Sequence, residues 1–291
     1  MSLVSVVIPA YNSSEYIGGA VDSVLRQSFK DFEIIVVDDG STDDTRRIVD
    51  LYLTDSRIRY IYEENRGLPG ARNRGARQSQ GEYLAFLDAD DYLAPNALEM
   101  MLQVFRSSGV AWLNVGVLKI EGDKKTVRHP QRPAGDLFRA ILDDDFITRS
   151  PFYSSEAFHV VGMYDEKMCN REDWDLNIRM IESGKPFALL DEPIYHYTRT
   201  PGSITTGNRR KICVYTERLL RKHHKRLADS GDREIGRIYA KNMWALARLY
   251  AYEIQDRSES LRCAWESLRY DKSIQRALHP LIHRLTTGLN V

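Results

Sequence analysis

The sequence is poor in cysteine, and its few cysteines are spaced in a way that excludes two kinds of scaffold. Cys169, Cys213 and Cys263 are odd in number and far apart, with no CxxC pair and no Cys/His spacing of a zinc site. Disulfide frameworks and structural zinc sites need paired or closely spaced ligands. We therefore expect neither a disulfide framework nor a structural zinc ion.

The sequence also lacks long apolar runs and an excess of one charge. No run reaches the roughly 18 apolar residues that a membrane-spanning helix needs, and no basic segment followed by an apolar core opens the chain. The 41 basic residues balance the 41 acidic ones, so nothing global indicates a nucleic-acid partner. We expect a soluble cytoplasmic protein.

Glycine-rich phosphate-binding motifs are missing as well. The segment after the first predicted strand reads PAYNSSEY (9–16), which contains neither GxGxxG nor GxxxxGKS. Dinucleotide oxidoreduction and P-loop phosphoryl transfer lose their main support without these motifs. A nucleotide could still bind at this sheet edge without a glycine fingerprint.

The first half of the chain alternates short apolar runs with helical patterns. VSVVIP (4–9) and FEIIVVDD (32–39) are continuous apolar runs, typical of parallel strands covered on both faces. IRYIYE (58–63) and EYLAFLD (82–88) predict two more strands, with helical segments between and after the strands. This βαβαβαβα order predicts an α/β fold with a doubly wound sheet whose ligands bind at the C-terminal strand ends.

Capping residues indicate where the helices begin. Ser13 or Ser14 is available to cap the first helix, and Ser41 or Thr42 the second. Pro95 is expected to open the fourth helix.

The pattern changes after residue 110. AWLNVGVLKI (111–120) predicts a further strand, and NREDWDLNIRMIESG (170–184) predicts a helix that ends at Gly184. From about residue 206 the pattern is almost wholly helical. We expect a domain over 1–205, divided into halves 1–110 and 111–205, and a helical extension over 206–291.

Residues 207–229 of that extension contain eight Lys/Arg against two acids. Charge runs of this kind usually form a solvated helix face. The alternative is peripheral contact with an anionic membrane that carries a lipid-linked acceptor.

Two aspartates stand at the tip of the second strand, Asp38 and Asp39. The turn DDGS is expected to place Gly40 at positive φ. Because ligands collect at this edge, one carboxylate could accept the ring N–H of a pyrimidine or the N–H groups of guanine.

The segment ENRGLPGARNRG (64–75) combines glycines with arginines at the start of a helix. Arg74 and Arg77 are expected to be solvated. Arg72 is expected to face the crevice together with the helix N-terminus, which favours anions.

Three more carboxylates, Asp88, Asp90 and Asp91, follow the fourth strand. Carboxylates this close raise one another's pKa values, and a divalent cation of the Mg²⁺ type relieves the repulsion with one or two of them plus substrate phosphates. We expect a ligand role for Asp88 and Asp90 and a helix-capping role for Asp91.

Acids also open the helix at REDWDL (171–176), where they are favourable to the helix dipole. Asp173, together with Glu172 and Asp175, could instead supply a general base, because a helix N-terminus is a fixed element. The segment YHYTRTPGSIT (195–205) could fold over a diphosphate. For His196 in that segment, a metal-ligand role and a structural role are equally compatible with the sequence.

Taken in order, these motifs resemble the family 2 inverting glycosyltransferases of the GT-A fold over about residues 3–205. The matching segments are VSVVIPAYNSSEYI, SVLRQSFKDFEIIVVDDGSTDDT, NRGLPGARNRG, GEYLAFLDADDYLAP, VGMYDE and REDWDL. Segment 206–291 matches no shared motif.

The resemblance implies a site that binds a nucleotide-diphospho-sugar, with uracil as the favoured base. It implies these donor-binding residues: Pro9, Ala10, Tyr11, Asn12, Asp39 (reading the base), Arg66, Gly67, Arg72, Asp88, Ala89 and Asp90. Asp90 would bind Mn²⁺ or Mg²⁺, with Asp88 near the ribose or the metal, and Asp173 would be the catalytic base. The acceptor would be a glycan or a lipid-linked molecule.

Two other functions remain as alternatives. A phosphotransferase of the haloacid dehalogenase type also has a DxD motif, but there it normally ends the first strand rather than the fourth. A non-catalytic binding module could retain the fold alone, although intact Asp39, Asp88, Asp90 and Asp173 argue against decay.

Overall fold

A computed structural model describes residues 2–200, 208–275 and 281 of the chain, which divides into two compact units. The α/β unit contains residues 2–134 and 146–200, and the helical unit contains residues 135–145, 208–275 and 281. Segment 135–145, which the sequence pattern assigns to the first domain, thus groups with the helical unit.

The α/β unit is built on one nine-stranded sheet. Its strands are β1 Val4–Ala10, β2 Phe32–Asp38, β3 Ile58–Tyr62, β4 Tyr83–Phe86, β5 Tyr92–Leu93, β6 Trp112–Glu121, β7 Lys124–Arg128, β8 Phe152–Ser154 and β9 Phe187–Thr198. The helices of this unit are α1 Ile17–Leu25, α2 Thr45–Asp50, α3 Leu68–Gln78, α4 Ala97–Ser108, α6 Ser155–Val160 and α7 Glu172–Glu182.

The sheet is mixed, with the order β3-β2-β1-β4-β8-β6-β9-β5 and with β7 paired to β6. The first four strands are parallel, and every residue of β1 and β2 is buried, as their continuous apolar runs predict. Beyond β4 the pairing turns antiparallel at β8, while β9 runs parallel to β6. The predicted α/β class and doubly wound, mixed sheet are confirmed.

The register brings the ends of the parallel strands to one edge. Ala10 lies beside Asp38, and Asp38 lies beside Tyr62. The N–H of Leu87, just after β4, donates to the carbonyl of Val7. The segments that follow β1, β2, β3 and β4 therefore all leave the sheet on the same side, where the candidate site lies.

Close packing of α3 on β1 fixes one wall of this edge. A Cβ atom on Gly75 of α3 would lie 2.2 Å from Val7 Cγ1. Val7 is fully buried and β-branched, so its side chain could not move aside. Glycine at this position allows the helix to approach the strand, and with it the start of α3 approaches the strand ends.

The predicted helix caps are wrong. Helix α1 begins after Tyr16 with no side-chain cap, and α2 begins at Thr45 with no side-chain cap from Asp44. The hydroxyl of Ser41 instead accepts the N–H of Asn12, and that of Thr45 accepts the N–H of Ser13. These hydroxyls connect the two loops at the strand ends.

The turn residues behave as predicted. Gly40 has φ +81°, and Gly184, just beyond α7, has φ +70°. Helix α4 begins at Ala97, two residues after Pro95.

The helical unit contains α5 Leu137–Asp143, α8 Arg209–Leu220, α9 Arg226–Asp229, α10 Arg233–Leu249 and α11 Arg257–Tyr270. Single π-helical turns cover Arg221–Lys225 and Tyr250–Ile254, and a 3₁₀ turn covers Lys272–Ile274. Buried side chains on α8, α10 and α11 form its core, among them Cys213, Leu220, Tyr239, Met243, Leu246 and Cys263.

Several basic residues of the stretch 207–229 are ion-paired within this unit. Arg209 contacts Glu253, and the other pairs are Arg210–Asp256 (2.7 Å), Arg221–Glu266 (2.6 Å) and Lys225–Asp229 (2.5 Å). This pairing favours a solvated, charge-balanced face over a polybasic membrane surface. In the described parts of the chain, no helix has both the length and the apolar character to cross a bilayer.

His224 makes the stability of the helical unit depend on pH. Its fully buried ring donates from Nε2 to the Leu142 carbonyl (2.6 Å), while Nδ1 has no hydrogen-bond partner in the described chain. Burial lowers the pKa of His224 to about 4. Because this folded-state pKa lies below the unfolded value of about 6.5, the stabilisation is complete above pH 6.5 and is lost as the pH falls toward 4.

We expect the helical unit to lose up to about 3 kcal/mol of unfolding free energy over that pH range. Urea titrations between pH 7 and pH 4 measure the loss. His224→Gln should flatten the profile, whereas exposed His159→Gln should leave it unchanged. A profile that stays steep in His224→Gln would contradict the assignment.

Candidate active site

The tip of β2 organises the first part of the site. Asp38 accepts the N–H of Ser41 (2.7 Å) and the hydroxyl of Tyr60. Asp39 accepts the backbone N–H groups of Arg66 (2.6 Å) and Gly67 (2.8 Å). Burial raises the pKa of Asp39, and these two N–H groups act in the opposite direction. Asp39 thus fixes the turn that leads into α3.

The end of β1 lies beside this carboxylate. Pro9 and Ala10 are buried, and the Ala10 carbonyl accepts the N–H of Asp39 (2.8 Å). The next side chain, Tyr11, is 53% exposed, while Asn12 takes a left-handed conformation (φ +49°) and accepts the N–H of Thr42 (2.8 Å). An exposed aromatic ring therefore follows directly after a strand end whose last carbonyl accepts the backbone N–H of Asp39.

Asp88 lies between two arginines. Arg72 Nη2 donates to one oxygen of Asp88 (2.7 Å), and Arg149 Nη2 donates to the other. These guanidinium groups outweigh the opposing effect of burial and hold the pKa of Asp88 well below its usual range. Because each oxygen already faces a guanidinium cation, a divalent ion bound to Asp88 would be repelled by both arginines, which argues against Asp88 as a metal ligand.

The two aspartates that follow point in different directions. Asp91 is fully buried and accepts the Tyr195 hydroxyl (2.7 Å) and the Thr198 N–H (2.8 Å). The predicted helix-cap role of Asp91 is therefore wrong, because Asp91 binds β9 rather than α4. Asp90 is only part-buried and accepts the hydroxyl of Thr200 (3.0 Å). Ala89, between Asp88 and Asp90, is buried.

Helix α7 brings further acids to the same cluster. Arg171, in a left-handed conformation (φ +63°), precedes the helix, and Arg72 Nη1 contacts Asp173 (3.2 Å) and Glu172 (3.4 Å). The side chain of Asp173 is 42% exposed, against 14% for Glu172. Asp175 is fully buried in an ion pair with Arg179 (2.8 Å), so Asp173 is the carboxylate at this helix start that solvent and substrate can reach.

Residues 5–163 match the family model described as "Glycosyl transferase family 2". The chain belongs to this glycosyltransferase family. It is 31% identical over 216 residues to the uncharacterized glycosyltransferase EpsJ of Bacillus subtilis. This match covers 70% of this chain and 63% of EpsJ. It is 32% identical over 200 residues to the chondroitin synthase of Escherichia coli, covering 67% of this chain and 28% of that protein. The chain thus spans less than two thirds of the length of either relative.

Solved structures support the GT-A fold. The crystal structure of S. aureus TarS 1–349 in complex with UDP-GlcNAc matches with a TM-score of 0.72 and 20% identity, covering 98% of this chain and 87% of that one. The mannosyltransferase PcManGT from Pyrobaculum calidifontis, in complex with GDP-Man and Mn²⁺, matches with a TM-score of 0.57 and 18% identity, covering 99% and 88%. At these identities the likeness extends to the fold alone.

The ionisable groups around Asp88 carry a marked excess of negative charge, and we call them the cluster. Two guanidinium groups, Arg72 and Arg149, face five carboxylates: Asp88, Asp90, Asp91, Glu172 and Asp173. Burial, reinforced by the neighbouring acids, raises the pKa of Asp90 and takes the pKa values of Asp91 and Glu172 to about 7. A bound cation would relieve this repulsion.

Asp90 is the carboxylate that fits a divalent ion. Unlike Asp88, it is hydrogen-bonded to a hydroxyl rather than to a guanidinium group. The expected set of Asp88, Asp90 and His196 does not assemble, because no group of three or more His, Cys, Asp and Glu side chains suited to a metal occurs in the described chain. His196 lies on β9 opposite Tyr92 of β5, and burial lowers its pKa. One carboxylate together with substrate phosphates is a common way to hold Mg²⁺.

The glycosyltransferase motifs did not reveal two residues of the site. Arg149 precedes β8, and Tyr195 lies on β9. Their positions beside Asp88 and Asp91 depend on pairing between β4 and β8 and between β5 and β9. These strands are distant in sequence and carry no local pattern that specifies their partners. Of segment 195–205, residues 201–205 lie outside the described residues.

Replacing Asp88 by Asn should strongly destabilise the α/β unit. The change removes the one carboxylate that accepts from both Arg72, which is 2% exposed, and Arg149. Breaking a buried ion pair on one side costs about 3–5 kcal/mol. The exposed pair Arg26–Asp22 provides the control, since Asp22→Asn should cost at most about 1 kcal/mol. Urea unfolding of both variants measures the difference, and equal losses would refute the role of Asp88.

Proposed function

We propose that this chain transfers a glycosyl group, with inversion, from a nucleoside diphosphate sugar to a hydroxyl of a glycan or lipid-linked acceptor. A UDP-sugar is the favoured donor, and synthesis of a cell-surface polysaccharide or lipopolysaccharide is the favoured context. The observation that carries the proposal is that Asp39 follows β2 and Asp90 follows β4 on the same side of the sheet, where Arg72 also joins Asp88 to Asp173. In this proposal the enzyme works in the cytoplasm or at the inner face of the cell membrane.

Donor binding is assigned to residues 1–110. Tyr11 offers an exposed ring for the base, and the Asp39 oxygens, each of which accepts one backbone N–H, retain acceptor capacity for a ring N–H of uracil. Arg66 and Gly67, bonded through their backbone to Asp39, would lie along the nucleotide. The UDP-GlcNAc complex of TarS supports this donor class. The GDP-Man complex of PcManGT leaves a purine nucleotide as the alternative.

The acceptor half is assigned to residues 111–205, with Asp173 as general base. Its carboxylate is part-exposed, stands in the first turn of α7 and is oriented by Arg72 at 3.2 Å. A carboxylate held on a fixed element can take the proton of an acceptor hydroxyl as that oxygen attacks the anomeric carbon. Direct attack on the face opposite the leaving group inverts the anomeric configuration, through an oxocarbenium-like transition state.

The departing nucleoside diphosphate needs its charge stabilised. Asp90 would hold Mn²⁺ or Mg²⁺ together with the donor phosphates. A bound divalent ion supplies Lewis-acid stabilisation of the phosphate oxygens. Asp88, which is bound to two arginines, keeps Arg72 and Arg149 in place beside this position.

The alternatives are weaker but testable. The phosphotransferase alternative needs a nucleophilic aspartate after a strand, and Asp88 at that position is bound at both oxygens. A non-catalytic module would bind donors without turnover. A thermal-shift screen of nucleoside diphosphate sugars with Mn²⁺, followed by a donor-hydrolysis assay, tests the second alternative. Binding without hydrolysis or transfer favours the module.

Asp173→Asn should keep donor binding and abolish transfer. The amide preserves the shape of the side chain but cannot accept the hydroxyl proton at neutral pH. Loss of general base catalysis typically costs about 10²–10⁴-fold in rate. Calorimetry with the donor nucleotide checks binding, and release of nucleoside diphosphate checks turnover. Turnover within a few fold of wild type would reject Asp173 as the base.

Asp90→Ala should lose the metal-dependent part of donor binding. In wild type, addition of EDTA should weaken donor affinity, because phosphates and Asp90 hold the ion together. In the variant, affinities with Mn²⁺ and with EDTA should be equal. An unchanged gain in affinity on adding Mn²⁺ would remove Asp90 from the metal site.

A further inference from the structure

The guanidinium group of Arg149 is only partly occupied by protein contacts. Nη2 donates to Asp88 and to the Tyr195 hydroxyl (2.8 Å). Within the described residues, no hydrogen bond is made by its Nε or Nη1, and the side chain is 22% exposed. The N–H of Nε and the N–H groups of Nη1 therefore remain available to a ligand.

Arg72 differs in this respect. Its side chain is 2% exposed, and both Nη atoms contact carboxylates, Nη2 that of Asp88 and Nη1 those of Glu172 and Asp173. Its Nε is buried and has no hydrogen-bond partner in the described chain. Arg72 therefore orients acidic side chains and does not present an N–H edge to solvent.

The surroundings of Arg149 place it at the centre of the cluster. Its Nη2 lies 3.8 Å from Asp91, and its charge interacts with both Asp90 and Asp173. Asp90 is the proposed metal ligand and Asp173 the proposed base. In the proposed reaction the nucleoside diphosphate is the leaving group. It has to lie between Asp90 and the anomeric carbon that the acceptor hydroxyl attacks beside Asp173.

The backbone of Arg149 is fixed as firmly as its side chain. The fully buried Asn114 of β6 accepts the N–H groups of Thr148 (3.0 Å) and Arg149 (3.4 Å). The Arg149 carbonyl accepts the N–H of Val115 (2.9 Å), and its guanidinium lies 4.5 Å from the centre of the Tyr195 ring. A cation that needs no reorganisation suits stabilisation of charge that develops during a reaction.

We infer that Arg149, rather than Arg72, donates N–H groups to the diphosphate of the sugar donor and stabilises it as it departs. The inference rests on the proposed function, and it names the anion-binding residue of the site. Guanidinium is the side-chain group best matched to phosphate oxygens, because its planar N–H edges can bind two of them at once.

The test compares ligands that differ only in phosphate number. Calorimetry with uridine, UMP and UDP, with and without Mn²⁺, gives the affinity gained with each added phosphate (guanosine, GMP and GDP serve if wild type prefers guanine). We expect Arg149→Gln to weaken diphosphate binding at least about tenfold, the value of a charge-assisted hydrogen bond, and to leave nucleoside binding unchanged. Arg149→Lys should be intermediate, and the exposed Arg26→Gln should bind as wild type.

Each outcome decides a different point. Equal weakening of nucleoside and diphosphate in both Arg149 variants would mean a purely structural role and overturn the inference, as would unchanged diphosphate binding. If Arg149→Gln does not fold, Arg149→Lys decides in the same way. If wild type binds no nucleoside diphosphate, the proposed function fails first and the inference fails with it.

Discussion

Asp88 is the carboxylate on which the geometry of the site depends, because it accepts hydrogen bonds from two guanidinium groups at once. Through Arg72 it is linked to α3 and to the acids that open α7. Through Arg149 it is linked to the segment before β8 and to Tyr195 of β9. Burying a cation without a counter-charge is prohibitive, so the shared carboxylate fixes five parts of the chain relative to one another.

The three aspartates that follow β4 are chemically identical, but their side chains point in different directions and therefore have different partners. The N–H of Asp91 bonds to the carbonyl of Asp88, which closes a tight turn. The turn directs Asp88 toward the two arginines and Asp91 toward the interior at β9, and leaves Asp90 bonded to the Thr200 hydroxyl. The same turn also explains β5, a two-residue strand that pairs with β9 immediately afterwards. Residues that look equivalent in the sequence thus serve as an ion-pair centre, a candidate metal ligand and a structural anchor.

The parts of the fold that could be predicted are those encoded locally. Continuous apolar runs specify buried parallel strands, and Gly40 and Gly184 specify turns, because these depend on a few adjacent residues. Helix caps were wrong because the hydroxyls of Ser41 and Thr45 bond across to another loop, a contact that local spacing does not encode. Arg149 was missed for the same reason: its role comes from antiparallel strands far apart in sequence. The order of the motifs was enough to identify the family. The different roles of Asp88, Asp90 and Asp91 could be assigned only from their contacts in the structure.

Charge balance connects the site with the ligand it is proposed to bind. With five carboxylates against two guanidinium groups, the cluster by itself would repel a diphosphate, and the N–H groups that Arg149 offers to a ligand add no charge beyond those two. A donor therefore has to enter together with cationic charge, which Asp90 is placed to share with the phosphates. Neutralisation of Asp91 and Glu172, whose pKa values burial takes to about 7, would reduce the repulsion only in part. In the proposed function, the acid-rich composition of the site would couple donor binding to a divalent ion, since a site balanced by its own arginines would have no need of one.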